Sequence, residues 1–361
     1  MVYRLGGDEF AVVQRSVQYP DDSTALANRI IAAISAPYEI DGHSVQIGVS
    51  IGVALCSPDE SDAEALLRAA DMALYEAKAQ GRGNLRVFRP EIQQERLRRR
   101  AIEVDLREAV ARRELMLLFQ PIVRVADRRI VGAEALIRWR HPSLGLLAPE
   151  HFIPIAEEAG LISPIDAWAL QKACVKAATW PEPVGLSVNL SPLQFAGAGL
   201  VEATRSALKA AGLPPSRLTL EVTETALLHD DPHTQETVTS LRALGVTIAM
   251  DDFGTGYSSL SYLRHFEIAR IKIDRTFTQS VDSQNASRVI VGAIVAIGAE
   301  LGIAVCAEGV ETAEQLAAVA RLGAQEAQGF FLHRPMPSRE FAALLSQQGA
   351  SGASQSALGK E

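Results

Sequence analysis

Hydrophobic and polar positions change their rhythm twice along the chain. Near the N-terminus, apolar strand-prone runs at 3–5 and 10–13 flank Gly6-Gly7-Asp8-Glu9. Two glycines free to take positive φ make that junction a hairpin turn. A second alternating segment, VQIGVSIGVAL at 45–55, predicts another strand hairpin, and a closing strand falls near 85–88. With two helical stretches between them, residues 1–90 read as α+β. The stretch SDAEALLRAADMALYEAKAQG predicts a helix with Ser61 as N-cap, Glu64 completing a capping box and Gly81 just past its end. Its Leu67, Ala70, Leu74 and Ala77 share one face and are the expected buried stripe.

From 91 to 111 the pattern becomes charged and alanine-rich, without Gly or Pro, which predicts a connecting helix. Its run of arginines is interleaved with Glu95, Glu103, Asp105 and Glu108, the pattern of a solvated helix face rather than of a nucleic-acid patch. Beyond it, apolar runs at 115–123, 130–138, 185–190, 217–223, 246–251, 270–274, 303–308 and 326–331 alternate with amphipathic helical stretches. Eight strands in that arrangement predict an α/β chain whose main body, 112–345, is a (β/α)8 TIM-like barrel with functional groups at the C-terminal ends of its strands. The polar tail 346–361 reads as disordered.

Composition narrows the function classes. A chain of 361 residues with 48% hydrophobic content has enough apolar side chains for two cores, the barrel and a partial α+β domain. A formal net charge of −8 argues against binding DNA, RNA or anionic membrane through a basic surface, so an anionic ligand would need metal ions. Cys56, Cys174 and Cys306 are widely spaced and lack a CxxC, which fits small core residues in a reducing compartment. No apolar run approaches a membrane span and no signal-peptide pattern is present, so the expected location is cytoplasmic.

The chemistry is carried by polar residues inside apolar strands. Glu134, Asn189, Glu221, Asp251, Asp274, Glu308 and Gln328 each fall in or at the end of a different predicted strand. A buried charge is expensive without a partner, and a ring of carboxylates is tolerable only beside cations. Oxygen ligands without His or Cys favour Mg²⁺ or Mn²⁺ over zinc. Strand alternation puts Arg138 on the face of Glu134, where it can reach a phosphate, and Lys272 on that of Asp274. Other motifs read as structural. His141 lacks a partner at ligand spacing, Cys306 reads as barrel packing, and Asp230-Asp231 reads as a solvated loop. The Asp252-Phe253-Gly254 tripeptide has none of the companion motifs of a protein kinase.

Two resemblances sharpen this picture. RLGGDEF, VSIGVA and LLRAADMALYEAKAQGRGN resemble the second half of a GGDEF diguanylate cyclase domain. That likeness implies a hairpin over the phosphates of guanosine triphosphate, formed by Gly6, Gly7, Asp8 and Glu9, with Lys78 and Arg82 at metal or phosphate. The family's upstream metal-binding Asp, guanine pocket and inhibitory RxxD are absent from this sequence. The expectation is a truncated domain that is inactive as a cyclase.

The second resemblance spans roughly 112–345. GAEALIRWRHPSLGLLAPEHFIPIAEEAGLI, SVNLSPLQF, LEVTET, AMDDFGTGYSSLSYL, IKIDRTF, AEGVET and AQGFFLHRPMP, in that order, are similar to a complete EAL domain, the cyclic di-GMP phosphodiesterase family. It implies Glu134, Asn189, Glu221, Asp251 and Asp252 as ligands of two divalent ions, with Asp274 in or beside the same shell. It also implies Lys272 and Glu308 bracketing the attacking water, Gln120, Arg138 and Gln328 as substrate contacts, and Glu224 anchoring the mobile DDFGTGYSSL loop through the hinge freedom of Gly254 and Gly256. The implied reaction is hydrolysis of cyclic di-GMP to linear pGpG by a homodimer. The rival reading is a receptor that binds cyclic di-GMP without cleaving it. Such receptors typically lack a metal ligand or the loop anchor, and this chain keeps all of them.

Overall fold

The computed structural model describes residues 1–15, 17, 20–56, 62–195, 199–227, 232–254, 263 and 266–358. The chain divides into two compact units, Met1–Ala101 and Ile102–Glu361.

In the first unit the expected hairpin is present, strand Val2–Gly6 against Glu9–Val12, with Gly7 at φ 50° in the turn. The segment at 45–55 differs from expectation. Tyr38–Ile40 pairs with His43–Val45 as a hairpin, whereas Ile51–Val53 pairs in parallel with Leu85–Val87. The helix Ala63–Ala79 lies between those parallel strands in sequence, and a helical crossover brings the chain back in the same direction. That helix is capped by Asp62, whose carboxylate accepts from the backbone N–H of Glu64 and Ala65. Ser61 lies outside the described residues.

The buried stripe of this helix is Ala69, Ala73 and Ala77, and Leu67 is 49% exposed. A Cβ on Gly52 would stand 2.0 Å from the Ala70 carbonyl oxygen, so strand and helix meet backbone to backbone. Cys56, expected in a core, is exposed just past Ile51–Val53, while Cys174 and Cys306 are buried as expected.

The second unit holds the barrel. Strands β1 (Leu115–Arg124), β2 (Ile130–His141), β3 (Gly185–Asn189), β4 (Leu218–Thr223), β5 (Thr247–Phe253), β6 (Arg270–Ile273), β7 (Ala304–Ala307) and β8 (Glu326–Ala327) pair in sequence and close into a ring. Neighbours from β2 to β8 are parallel, as helical crossovers require. β1 is the exception, antiparallel to both β2 and β8. The connection at 125–129 is too short for a crossover helix and permits only a hairpin.

Alternation along the parallel strands sends Leu186, Val188, Leu220, Val222, Ile271 and Ile273 into one apolar core with the surrounding helices. The intervening positions face the barrel axis. The connecting helix, Pro90–Ala109, is less solvated than its charges suggest. Its Ile102, Leu106 and Ala109 join Trp139, Phe152, Ile155 and Ile165 in a second core on the outer side of β2. His141 is structural, as read from the sequence: its Nδ1 accepts from the backbone N–H of Ser143 and Leu144 at 3.2 Å, and its Nε2 stands 3.2 Å from Asp105 Oδ2. The final helix, Ser338–Leu358, extends into the segment 346–361 expected to be disordered, of which 359–361 lie outside the described residues. Phe341 and Leu345 dock its first turns, and once a helix is nucleated each further residue adds a backbone bond. Among the described residues, no helix is long and apolar enough to cross a membrane.

Candidate metal centre at the mouth of the barrel

Each barrel strand delivers a polar side chain to one end of the ring. Register sets Gln120 of β1 opposite Glu134 of β2, and Asn189 of β3 opposite Glu221 of β4. Lys272 of β6 is 1% exposed and gathers four carboxylates. Its Nζ lies 2.6 Å from Glu221 Oε2 and from Glu308 Oε1, 3.3 Å from Asp251 Oδ1 and 3.4 Å from Glu134 Oε2. One ammonium among four carboxylates leaves a surplus of negative charge.

That surplus appears in the proton affinities. Burial, opposed by Lys272 and reinforced by Glu134 and Asp251, pushes the Glu221 carboxyl up to about 7. Burial also raises Glu308 well above the usual carboxylate range. Burial and the charges of Asp251 and Asp274 bring Asp252 to about 6. Glu134 goes the other way. Burial favours its neutral form, but the Lys272 charge and hydrogen bonds from Gln328 and Asn189 hold it below the usual range. Four neighbouring carboxylates together hold Lys272 strongly protonated against its own burial.

Two local irregularities aim consecutive aspartates at the same place. The register of β5 shifts between Met250 and Phe253, and Asp252 takes a left-handed φ of 54°. A regular strand would send Asp251 and Asp252 to opposite faces. Instead, oxygens of Asp251, Asp252 and Glu308 lie within 4.8 Å of one another, the one such group of potential ligands among the described residues. Glu221 Oε1, buried without a protein partner, adds a free lone pair to the same wall. An oxygen-only donor set with excess negative charge fits a hard divalent cation such as Mg²⁺ or Mn²⁺.

The other predicted residues fall into three groups. Gln328 follows β8, and its Nε2 donates to Gln120 Oε1 at 2.9 Å and to Glu134 Oε2 at 2.8 Å, while Gln120 Nε2 donates to the His333 carbonyl. Gly329 makes this placement possible, since a Cβ there would stand 2.1 Å from the Val310 carbonyl oxygen. Asn189 Nδ2 donates to Glu134 Oε1, leaving its own carbonyl oxygen for another partner. Arg138 is half-buried on the same strand as Glu134 and, among the described residues, forms no ion pair. Glu224, buried, accepts from the Gly254 backbone N–H at 3.3 Å. Gly256 and most of that loop lie outside the described residues, as do Asp230 and Asp231.

Asp274 and the N-terminal set depart from the central cluster. Asp274 caps the short helix Arg275–Thr278, accepting from the Thr276 N–H and hydroxyl, and stands beside Asp252 rather than within the oxygen group. Gly6, Gly7, Asp8, Glu9, Lys78 and Arg82 are all exposed, and among the described residues Asp8 and Glu9 belong to no ligand cluster.

Sequence reading missed three residues behind Asn189. Ser191 donates its hydroxyl to Glu157 Oε1 at 2.6 Å, and its backbone N–H to Asp166 Oδ2 at 3.3 Å. One signal was available: Asp166 interrupts the apolar stripe of Ile162, Ile165, Ala169, Leu170 and Ala173 on the helix Ile162–Ala177.

Comparison with known proteins agrees with this geometry. Residues 103–335 match the EAL domain model, and residues 1–84 match that of the diguanylate cyclase GGDEF domain. The bifunctional diguanylate cyclase/cyclic di-GMP phosphodiesterase MucR of Pseudomonas aeruginosa is 42% identical over 95% of this chain and 50% of its own length. Cyclic di-GMP phosphodiesterase NbdA of the same organism is 37% identical over 93% of this chain and 43% of its own. The chain thus spans half or less of the length of these relatives. The solved PaMucR phosphodiesterase in complex with c-di-GMP superposes with a TM-score of 0.65 at 44% identity, over 67% of this chain and 99% of that one.

Proposed function

The chain belongs to the EAL domain family, and from that premise we propose that it hydrolyses cyclic di-GMP to linear pGpG with divalent cations held at the mouth of its barrel. The observation that carries the reading is the convergence of Glu134, Glu221, Asp251 and Glu308 on Lys272.

Asp251, Asp252, Glu221, Glu134 and the Asn189 carbonyl oxygen would hold the cations, with Asp274 in or beside the same shell. Bound there, divalent cations lower the pKa of coordinated water and offset charge on the phosphate. The protein supplies the rest. Glu308 would take the water's proton as general base. Lys272, 2.6 Å away, compensates the charge as Glu308 changes protonation. Arg138, which forms no ion pair among the described residues though the charges of Glu150 and Glu134 act on it, offers its guanidinium to a phosphate oxygen. Gln120 and Gln328, tied to each other, present a fixed amide pair to the substrate. Glu224, through Gly254, holds the segment leading from Asp252.

Residues 1–90 are assigned to the C-terminal half of a GGDEF domain, 91–111 as a connector, 112–345 as the catalytic barrel and 346–361 as a tail. The EAL likeness supports a homodimer formed through the barrel, and the acidic, cysteine-poor composition supports a cytoplasmic setting.

The test is chromatography of cyclic di-GMP after incubation with the purified chain in Mg²⁺, in Mn²⁺ and in excess chelator, with Glu134→Ala alongside. A pGpG peak that needs metal and disappears in the variant supports the proposal. Ligand binding without product in any metal contradicts it and returns the receptor reading.

A further inference from the structure

Asn189 ends β3, and the three residues 189–191 are each tied to a different element. The Asn189 amide donates to Glu134 on β2. The Leu190 N–H donates to the Glu221 carbonyl of β4 at 2.9 Å. Ser191 is held at both its polar groups, its hydroxyl by Glu157 and its N–H by Asp166. The same hydroxyl oxygen accepts from the Leu193 N–H at 3.3 Å, opening the short helix Pro192–Phe195.

The chemistry of this support is unusual for a structural contact. Asp166 is buried, Glu157 lies near enough to raise its pKa, and among the described residues no ion pair involves either carboxylate. Two carboxyl groups without a cation are a costly way to hold a turn that apolar packing would hold more cheaply. Apolar packing, however, does not fix a backbone N–H and a hydroxyl in direction. Hydrogen bonds do, and outer partners of this kind set the orientation of metal ligands.

We infer that Glu157, Asp166 and Ser191 form a clasp that positions Asn189, so that its carbonyl oxygen is presented to the divalent cation at the barrel mouth. All three are positioning residues: Glu157 acts through the Ser191 hydroxyl and Asp166 through its backbone N–H, so that both reach Asn189 only by way of Ser191. This inference rests on the proposed phosphodiesterase reading. With the clasp in place, residue 189 is restrained on both sides, by the β4 carbonyl and by Ser191. Without it, one restraint remains and the amide is free to stay with Glu134.

The experiment uses the full chain and the variants Ser191→Ala, Ser191→Thr, Asp166→Asn and Asn189→Ala. Mn²⁺ binding is read by calorimetry without substrate, and kcat and KM for cyclic di-GMP are read at graded Mn²⁺. Loss of an outer partner of a metal ligand typically weakens affinity or activity by about 10- to 100-fold. Ser191→Ala is therefore expected to weaken Mn²⁺ binding about tenfold and to lower kcat at fixed Mn²⁺, with KM changed less than about twofold. Ser191→Thr, which keeps the hydroxyl, restores both. Asp166→Asn, close in size and still an acceptor, separates the clasp from a folding defect, and is expected to shift Mn²⁺ binding in the same direction by less. Mn²⁺ affinity and kcat at parental values in both Ser191→Ala and Asp166→Asn, while Asn189→Ala loses them, overturn the clasp. A parent that binds Mn²⁺ but makes no pGpG overturns the phosphodiesterase reading instead, and the calorimetric series still decides the clasp. A parent that binds no Mn²⁺ overturns both.

Discussion

Lys272 and Glu308 meet at 2.6 Å, ammonium to carboxylate, with the lysine sealed inside the barrel wall. Among the described residues Lys272 is the one cation that contacts Glu134, Glu221, Asp251 and Glu308 together, so its loss should be felt by all four. Lys272→Met is expected to abolish turnover. In chelator it should also lose about 3–5 kcal/mol of stability near neutral pH, the range for breaking a buried ion pair. The deficit should shrink in acid, where the carboxylates take up protons. Denaturant titration at two pH values checks this, and a variant as stable as the parent near neutrality contradicts the charge balance described here.

Gln328 is expected from the EAL likeness to touch substrate, yet its amide also donates to Glu134 Oε2 at 2.8 Å. Removing it therefore withdraws a hydrogen bond that keeps Glu134 ionised. Gln328→Ala should lower kcat as well as raise KM, each by about tenfold or more. Steady-state kinetics separate the two, and a pure KM effect would confine Gln328 to substrate binding.

Glu224 holds Gly254 by one hydrogen bond, two residues past Asp252. Misplacing catalytic groups by about 1 Å costs on the order of 100-fold in rate. Glu224→Ala should approach that loss, while Glu224→Gln, which retains an acceptor, should recover most of the activity. Equal losses in the two variants would mean that charge, not the hydrogen bond to Gly254, is what matters.

Asp166 gives a pH signature in stability. Burial first, then the Glu157 charge, raises its carboxyl to about 7 against a backbone hydrogen bond from Ser191. A raised folded pKa means that the folded state holds a proton which the unfolded state releases near the ordinary value of 3.8. Its contribution to stability is present in acid and is lost as pH rises through about 7. Between about pH 5.5 and pH 8 the parent should lose more stability than Asp166→Asn, which has no proton to release. Paired urea denaturation curves give the difference, and parallel profiles in the two proteins would refute the assignment.

Much of the barrel was legible because its strands are buried on both faces and read as continuous apolar runs, in which Glu221 or Lys272 stands out at once. The reversed direction of β1 was encoded only in the length of the connection at 125–129. On the helix Ala63–Ala79 the expected stripe fails at Leu67, which is 49% exposed, while Ala77 is buried and the backbone of Ala70 and Leu74 lies against Gly52. The paired turn toward the centre at Asp251 and Asp252 depends on a left-handed φ at a non-glycine residue, which nothing in the local sequence announces. Ser191 and Asp166 lie 25 positions apart and meet only through tertiary packing.

The antiparallel first strand makes the ring a structure with a seam. Every other junction joins strands that follow one another along the chain, but β8 must find β1 across the whole length of the unit, and does so over only two register pairs, Glu326 with Arg124 and Ala327 with Val123. The hydrogen bond from Gln328 to Gln120, spanning 208 positions, is fastened across that seam. The two amides assigned to substrate therefore double as the stitch that closes the circle. Parting of the ring at this junction would part the two amides as well, which ties the proposed substrate contacts to the closure of the barrel.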